Sequence, residues 1–570
     1  MPLRPLAAGR ARPGTLNMDT QRLILLFIFG FSLLMLWEAW EKEHRPKPAP
    51  VPQAAQQGVP APAKFPASSP ATPLARPGGV PGAETVAAAG ETLQVRTDVL
   101  IADIDTLGGT LIRVELLKHK DASDATQNLV LLGPEHHYEA QSGLAGEGGP
   151  NHRTLWRAQP GDYTLASGKD AVELRLQAQG RDGLLVEKVY AFRRDSYVVD
   201  LVLEVRNPSP ASIAPYAYFQ LTHDGKPPAG GNSVAQSFGA QSFTGFAVYS
   251  NEKKFEKVPP SDLDKGKADA IKRSDNGWLA FVQHYFVSAW LVPEGVSREY
   301  VFDKRPDGVY AGRVLVALPS IAPGESTRVK APLYVGPQEQ RRLKAAAPGF
   351  DLVVDYGWLT IIAWPLFWLL EKFHEFAGNW GVAIILLTVF VKVLFFPLSA
   401  ASYKSMAKMK LITPRLTKLR EMYANDRQKM NQAMMELYKT EKINPLGGCF
   451  PIVVQIPVFI ALYWVLLAAI ELRHAPFVLW IHDLAALDPY YVLPVLMTAT
   501  MILQTRMNPV PPDPVQAKVM KFMPFVFSIF FFFFPAGLVL YWLVNNILSI
   551  LQQWQIQRMF DRDKPAHAKR

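Results

Sequence analysis

Four long apolar runs lie after residue 350 of this chain: Trp380–Leu398, Cys449–Ile470, Tyr490–Met507 and Phe522–Leu551. A bilayer offers backbone amides and carbonyls no water to bond. Runs of about 20 apolar residues are therefore read as spanning helices. A fifth run, Leu23–Trp37, is short for a span, but Trp37 and Trp40 suit the headgroup belt. Arg22 precedes it and Glu38, Glu41 and Glu43 follow, so residues 1–22 are expected in the cytoplasm. A cleavable signal is the competing reading. No small-x-small site directly follows the run, which favours a retained anchor over residues 23–40. Residues 1–17 carry no structural pattern, and Met18 is the expected native start.

Loop charge orients the rest. A net charge of +10 would fit nucleic acid, a membrane surface or cytoplasmic loops, and the basic residues next to the apolar runs favour the third. Residues 401–445 hold ten Lys/Arg against four acids, so this loop is cytoplasmic, whereas Arg473 is the only Lys/Arg of loop 471–489, which faces outward. Lys518, Lys521 and the basic tail 559–570 are again inside. Five spans would leave that tail outside. The conflict disappears if Pro535-Ala536-Gly537 breaks the last run into two spans, 522–534 and 538–555. Six transmembrane helices with both termini in the cytoplasm are the expectation.

Between the anchor and these runs the chain reads as soluble protein. Residues 41–90 are rich in Pro and Ala and suit an extended linker. Residues 91–345 alternate with period two and predict a large all-β sandwich outside the cytoplasm. Val95, Thr97, Val99 and Ile101 are expected on one strand face, as are Val172, Leu174 and Leu176, and Val199, Leu201, Leu203 and Val205. Gly108-Gly109 and Gly230-Gly231 mark turns. Leu359–Leu370, interrupted by Pro365, is too short to span, so residues 351–377 are expected to form an amphipathic interfacial helix.

No catalytic constellation is present in the sequence. There is no Walker A loop, no HExxH and no GxSxG elbow, and the single cysteine, Cys449, excludes a disulfide or a CxxC site. No cofactor or metal is expected, and His136 and His137 read as surface or loop residues rather than ligands. Polar residues inside the apolar runs are the stronger signal, since a charge in hydrocarbon faces a partner or a wet cavity. Lys392 either snorkels to the inner interface or hydrates a cavity with Thr388 one turn away. Gln455, Gln504, Asn545 and Asn546 are further lining candidates, or glue between helices. Residues 401–445 read as two helices joined near Ala424-Asn425-Asp426. Met406, Met409, Met430 and Met434 form either a hairpin seam or an adaptable surface that meets apolar segments, and both readings stay open.

Several motifs resemble the YidC insertase family: Asn379-Trp380-Gly381, Ser405-Met406-Ala407-Lys408-Met409, Asn444-Pro445-Leu446-Gly447-Gly448-Cys449 and Gln455-Ile456-Pro457. Leu479–Leu484, Asp488-Pro489-Tyr490-Tyr491 and Gly537–Trp542 continue the series, and Met18–Arg22 is similar to that family's start. The resemblance implies a helical core over 378–558, with spans 380–398, 449–470, 490–507, 522–534 and 538–555. An N-terminal anchor and a periplasmic β-supersandwich are added to it in Gram-negative members. It implies a hydrophilic groove open to cytoplasm and lipid, with Lys392 where the family usually carries arginine. Thr388 and Trp542 match substrate-facing positions, and Gln455 is a third candidate. Lysine keeps the charge but loses the bidentate fork. The family also implies nascent membrane proteins as substrates, membrane lipid as surroundings, and the Sec translocon and the ribosome as partners. A polytopic transporter or channel is the main rival, and a structural scaffold the second.

Overall fold

The computed structural model describes residues 90–121, 124, 126–146, 148–227, 243–268, 270–423, 426–441, 450–508 and 514–562. The anchor 23–40, nearly all of the 41–90 linker, Gly230-Gly231, Ala424-Asn425, Asn444–Cys449 and the tail beyond Arg562 lie outside these residues. Two compact units make up the chain. The larger comprises Leu74–Tyr403, Leu446–Thr500 and Phe527–Arg570, and the smaller comprises Met1–Pro73, Lys404–Pro445 and Met501–Val526.

In the larger unit, residues 92–337 form two antiparallel sheets of nine and ten strands. Alternation explains strand Val198–Arg206, where Val199, Leu201, Leu203 and Val205 are all buried. Phe219 meets Trp290 across the sandwich with ring centroids 5.3 Å apart, and Tyr138 meets Phe281 at 5.2 Å. Strands Trp278–Gln283 and Phe286–Trp290 are buried on both faces and accordingly read as apolar runs rather than as alternation. Lys188 is fully buried, yet its ammonium has three carbonyl partners, Gly108 (2.6 Å), Ser142 (2.9 Å) and Gly109 (3.3 Å), and lies over the Trp156 ring. Three acceptors match its three donors, which offsets the cost of burying the group.

The first expected strand face is corrected. Val95 and Ile101 belong to two paired strands, Thr92–Arg96 and Leu100–Asp105, opposite each other across a turn. The Thr97 hydroxyl accepts the Val99 and Leu100 amides and closes that turn. All four residues are buried, which is why the pattern imitated a single strand.

The helices are α1 (Pro260–Asp264), α2 (Gln340–Ala346), α3 (Thr360–Ala377), α4 (Trp380–Leu394), α5 (Phe396–Met422) and α6 (Arg427–Thr440). They continue with α7 (Phe450–Ala468), α8 (Val492–Met507), α9 (Pro514–Phe531) and α10 (Ala536–Arg562). α3 runs through Pro365 rather than breaking there. It buries Ala363, Phe367 and Leu370 and exposes Ile361, Trp364 and Trp368 on the other side. The run expected over 380–398 stops at Leu394, and α5 restarts at Phe396. The break near Pro535 holds, although α9 begins earlier and ends earlier than the expected 522–534, and α10 runs past 555. No single described helix is long and apolar enough to cross a membrane, while α4 and α5 meet that test together.

The β domain touches α7 and the segment that follows it. Arg473 donates to the Lys120 carbonyl at 2.6 Å and stacks over Phe286, and His284 Nε2 lies 3.2 Å from the Leu467 carbonyl.

In the smaller unit, α5 and α6 pack through Ile412 and Leu416, with Met409, Met434, Leu437 and Tyr438 against them. Asp426 caps α6 by accepting the Lys429 amide. Met409 and Met434 thus belong to the hairpin seam, whereas Met406 and Met430 are partly exposed outside that cluster.

Candidate functional site

Helix α10 buries Leu538 to Leu543 in its first turns, and from Asn545 to Trp554 its pattern is inverted relative to a soluble amphipathic helix. Trp542, Asn545, Asn546, Ser549, Gln552 and Gln553 recur at three- and four-residue spacing and so share one face. Asn546, Ser549 and Gln553 on that face are buried, whereas Ile547, Leu551 and Trp554 are exposed. Polar groups inside and apolar ones outside are what a helix surrounded by lipid requires.

α10 packs on α4 and α7. α4 turns a face of Ala383, Ile384, Leu387, Thr388, Val391 and Lys392 inward, and Val389, Phe390, Val393 and Leu394 outward. Lys392 is only 5% exposed, and its ammonium donates to the Ser549 hydroxyl at 2.8 Å. A snorkelling lysine would hold its charge at the surface, and this one does not. Among the described residues no carboxylate pairs with it. Thr388 lies on the same face, its hydroxyl donating to the Ile384 carbonyl at 2.6 Å. Gln455 on α7 donates to Asn545 at 3.4 Å, and Asn546 donates to the Thr500 hydroxyl at 2.9 Å. Trp542 stacks on Phe459 at 5.5 Å and meets Phe531 and Phe534 edge-on. Its buried Nε1–H finds no acceptor among the described residues.

Lys392 and Gln455 therefore bond to the α10 stripe, Trp542 lies on it, and Thr388 shares the inward face of α4 with Lys392. The sequence reading missed Ser549 and Gln552. Counting in threes and fours from Trp542 would have found both.

The opposite end of α4 is closed by the quoted motifs. Asn379 caps α4 by accepting the Val382 amide, and its own amide donates to the Pro476 and Phe477 carbonyls. A Cβ at Gly381 would fall 2.0 Å from the Phe477 ring, so no larger residue fits. Asp488 accepts the amides of Tyr490 and Leu493 and the Trp480 indole N–H. Gly537 donates to the Leu484 carbonyl. Asn379 and Lys392 are thirteen residues apart, which is about 20 Å along a helix. One end of α4 is held by the Asn379 side chain, and Lys392 sits toward the other.

Known families match both parts of the chain. Residues 92–369 fit the model described as YidC periplasmic domain, and residues 372–564 fit the one described as 60Kd inner membrane protein. The membrane protein insertase YidC of Nitrosospira multiformis is 52% identical over 562 residues, covering 95% of this chain and 98% of that protein. That of Aromatoleum aromaticum is 51% identical over 561 residues, covering 96% and 99%. The chain belongs to the YidC family. A solved active YidC insertase with its first transmembrane domain resolved covers 82% of this chain and 93% of its own, at 17% identity and a TM-score of 0.38. The two YidC family matches meet inside α3, so that helix carries the chain from one matched region into the other.

Proposed function

We propose that this chain is an insertase and chaperone for integral membrane proteins, working through a hydrophilic groove formed by α4, α7 and α10. The observation that carries the reading is the polar stripe of α10 from Asn545 on, which meets Lys392 and Gln455, with Trp542 on the same face and Thr388 beside Lys392 on α4. A substrate's short polar flank enters the groove near Lys392 while its apolar segment slides along the exposed outer faces into lipid. Removal of apolar side chains from water drives the step, at roughly 25 cal/mol per Å². No nucleotide is required of the chain itself. The Trp542 indole N–H, which has no acceptor among the described residues, is suited to an arriving backbone carbonyl.

The proposed architecture has six spans, with both termini cytoplasmic in a Gram-negative inner membrane, and the positive loops support it. Residues 91–345 form the periplasmic domain and 351–377 lie at the interface, which the exposed tryptophans of α3 support. Met406, Met409, Met430 and Met434 on the 401–445 hairpin first contact the nascent segment. Met409 and Met434 do so by opening the seam they now fill. The Sec translocon and the ribosome are the proposed partners, the latter through the basic loops.

Purified protein in pure lipid vesicles tests this. Insertion of a small coat-type membrane protein is the expected result, whereas solute flux without insertion would indicate a transporter and refute the proposal.

A further inference from the structure

One cluster of ligating side chains on the β domain takes no part in the groove. It lies where strand Tyr216–His223 ends and meets the short turn Pro134–His136. Backbone bonds lock the two segments together. The Asp224 amide donates to the His136 carbonyl at 2.9 Å, and the Thr222 hydroxyl to the His137 carbonyl at 2.8 Å. His223 is buried, with Phe281 stacked on its ring at 4.1 Å and Tyr138 edge-on at 4.8 Å, so it cannot swing away.

Three donor atoms converge there. His136 Nδ1 lies 3.2 and 3.3 Å from the two Asp224 carboxylate oxygens, and His223 Nδ1 lies 3.3 Å from Oδ1. Ligand atoms of all three residues fall within 4.8 Å of one another. Tetrahedral coordination with bonds of about 2.0–2.1 Å sets neighbouring ligands about 3.3 Å apart. The two His–Asp separations already match that edge.

The hydrogen bonding leaves a place for a cation. The Gly225 amide donates to His223 Nδ1 at 2.9 Å, so that nitrogen carries a lone pair and the ring proton sits on Nε2. Nδ1 then has no proton to give Asp224 Oδ1, so two acceptor atoms lie 3.3 Å apart, and a metal ion could bond both. The Lys226 amide donates to Oδ1 at 2.9 Å. The Lys226 ammonium, 3.5 Å from Oδ2, is the competing cation, but that side chain is 76% exposed. A bound ion takes the Nδ1 lone pair from the Gly225 amide, whose residue is half-buried.

We propose that His136, His223 and Asp224 form a binding site for a divalent transition-metal ion of the Zn2+ class. Two imidazoles and a carboxylate suit such an ion, and Mg2+ or Ca2+ would call for more oxygen ligands. Water completes the set from the open side, where the His136 side chain is 30% exposed. The site lies on the domain proposed to face the periplasm.

The test uses full-length protein in detergent without a polyhistidine tag, stripped with chelator and titrated with Zn2+ against a chromophoric competitor. The chain has 11 histidines, so the readout is the difference between variants. Wild type is expected to take up one equivalent more than His136→Gln, and Asp224→Asn is expected to bind at least about tenfold more weakly, since even outer partners of a metal cost that much. Co2+ in the same site should give the visible absorption of a tetrahedral ion, lost in His136→Gln. His136 is on a surface turn, so this variant is expected to fold, which its melting curve verifies. Equal zinc uptake by wild type and His136→Gln, or none by wild type, overturns the proposal and leaves the Lys226 ammonium as the cluster's only cation.

Discussion

Lys392 and Ser549 are the pair on which the groove reading depends most closely. With no carboxylate beside it among the described residues, the Lys392 charge is available to a substrate carrying the opposite sign. Lys392→Arg should be tolerated, because the cation remains, although its planar fork must find room beside Ser549. Lys392→Leu should slow insertion of substrates with acidic translocated flanks more than neutral ones. Coulomb attraction is about 1 kcal/mol at contact in water and a few kcal/mol where solvent is partly excluded, so the defect is partial, roughly fivefold to a hundredfold in rate. Equal insertion of acidic and neutral substrates by a folded Lys392→Leu variant would remove Lys392 from the mechanism. Trp542 separates packing from contact in the same way. Trp542→Phe keeps an aromatic ring against Phe459 and loses only an N–H with no acceptor among the described residues, so thermal stability should change little. Trp542→Ala should lower stability by roughly 3–5 kcal/mol. If Trp542→Phe inserts as well as wild type, the indole N–H makes no contact that matters to substrate. Lys392 stood out in the sequence because one charge in an apolar run is conspicuous. Ser549 did not, since serine is unremarkable in such a run and gains meaning only from the residue it faces.

At the scale of elements, the C-terminal end of α7 and the turn after it meet two groups whose titrations oppose each other. His284, against the Leu467 carbonyl, has its pKa pushed down to about 4, chiefly by burial. An unfolded histidine takes up its proton near 6.5. The unfolded chain therefore binds the extra proton first, and stability is lost as pH falls from 6.5 toward 4. Glu471 has its carboxyl pushed up to about 8, by burial first and then by Glu339 and Glu371 nearby. Its folded form holds the proton longer than the unfolded chain, so stability is lost as pH rises from 4.5 through 8. Melting temperature against pH should fall on both sides. His284→Gln should flatten the acid limb and Glu471→Gln the alkaline one, and an unchanged alkaline limb in Glu471→Gln would show that its carboxyl is ordinary. Helix existence was legible from apolar runs here, but helix ends were not. α4 stops four residues short of the apolar run because α5 begins a new segment at Phe396, and hydropathy alone does not register a change of direction. The Val95–Ile101 stretch failed for a similar reason, because burial on both sides of a turn looks like one strand.

Across the whole molecule, the six-span arrangement rests on the break between α9 and α10 and on the charge of the loops. Single cysteines at Ala536 and Ala568 should label from opposite sides of the membrane, Ala536 from outside and Ala568 from inside. Labelling from one side would rule out the two-span reading of the last apolar run. The β domain raises a different question, because every groove candidate lies after residue 350. Deleting residues 91–320, with the first span and α3 kept, should preserve most insertion activity per folded molecule. The deletion is not free of consequence. Strands Ser326–Lys330 and Leu333–Pro337 would lose their partners Val198–Arg206 and Phe286–Trp290, leaving apolar edges that invite aggregation. Extending the deletion to residue 337 should restore monodispersity. Arg473 gives the internal control. In the intact chain, Arg473→Gln removes a charged hydrogen bond to Lys120 and should cost roughly 1.5–3 kcal/mol of stability. In the deleted chain that carbonyl is gone, and the same substitution should cost almost nothing. A stably expressed deletion that inserts no substrate at all would show instead that the β domain takes part in insertion itself.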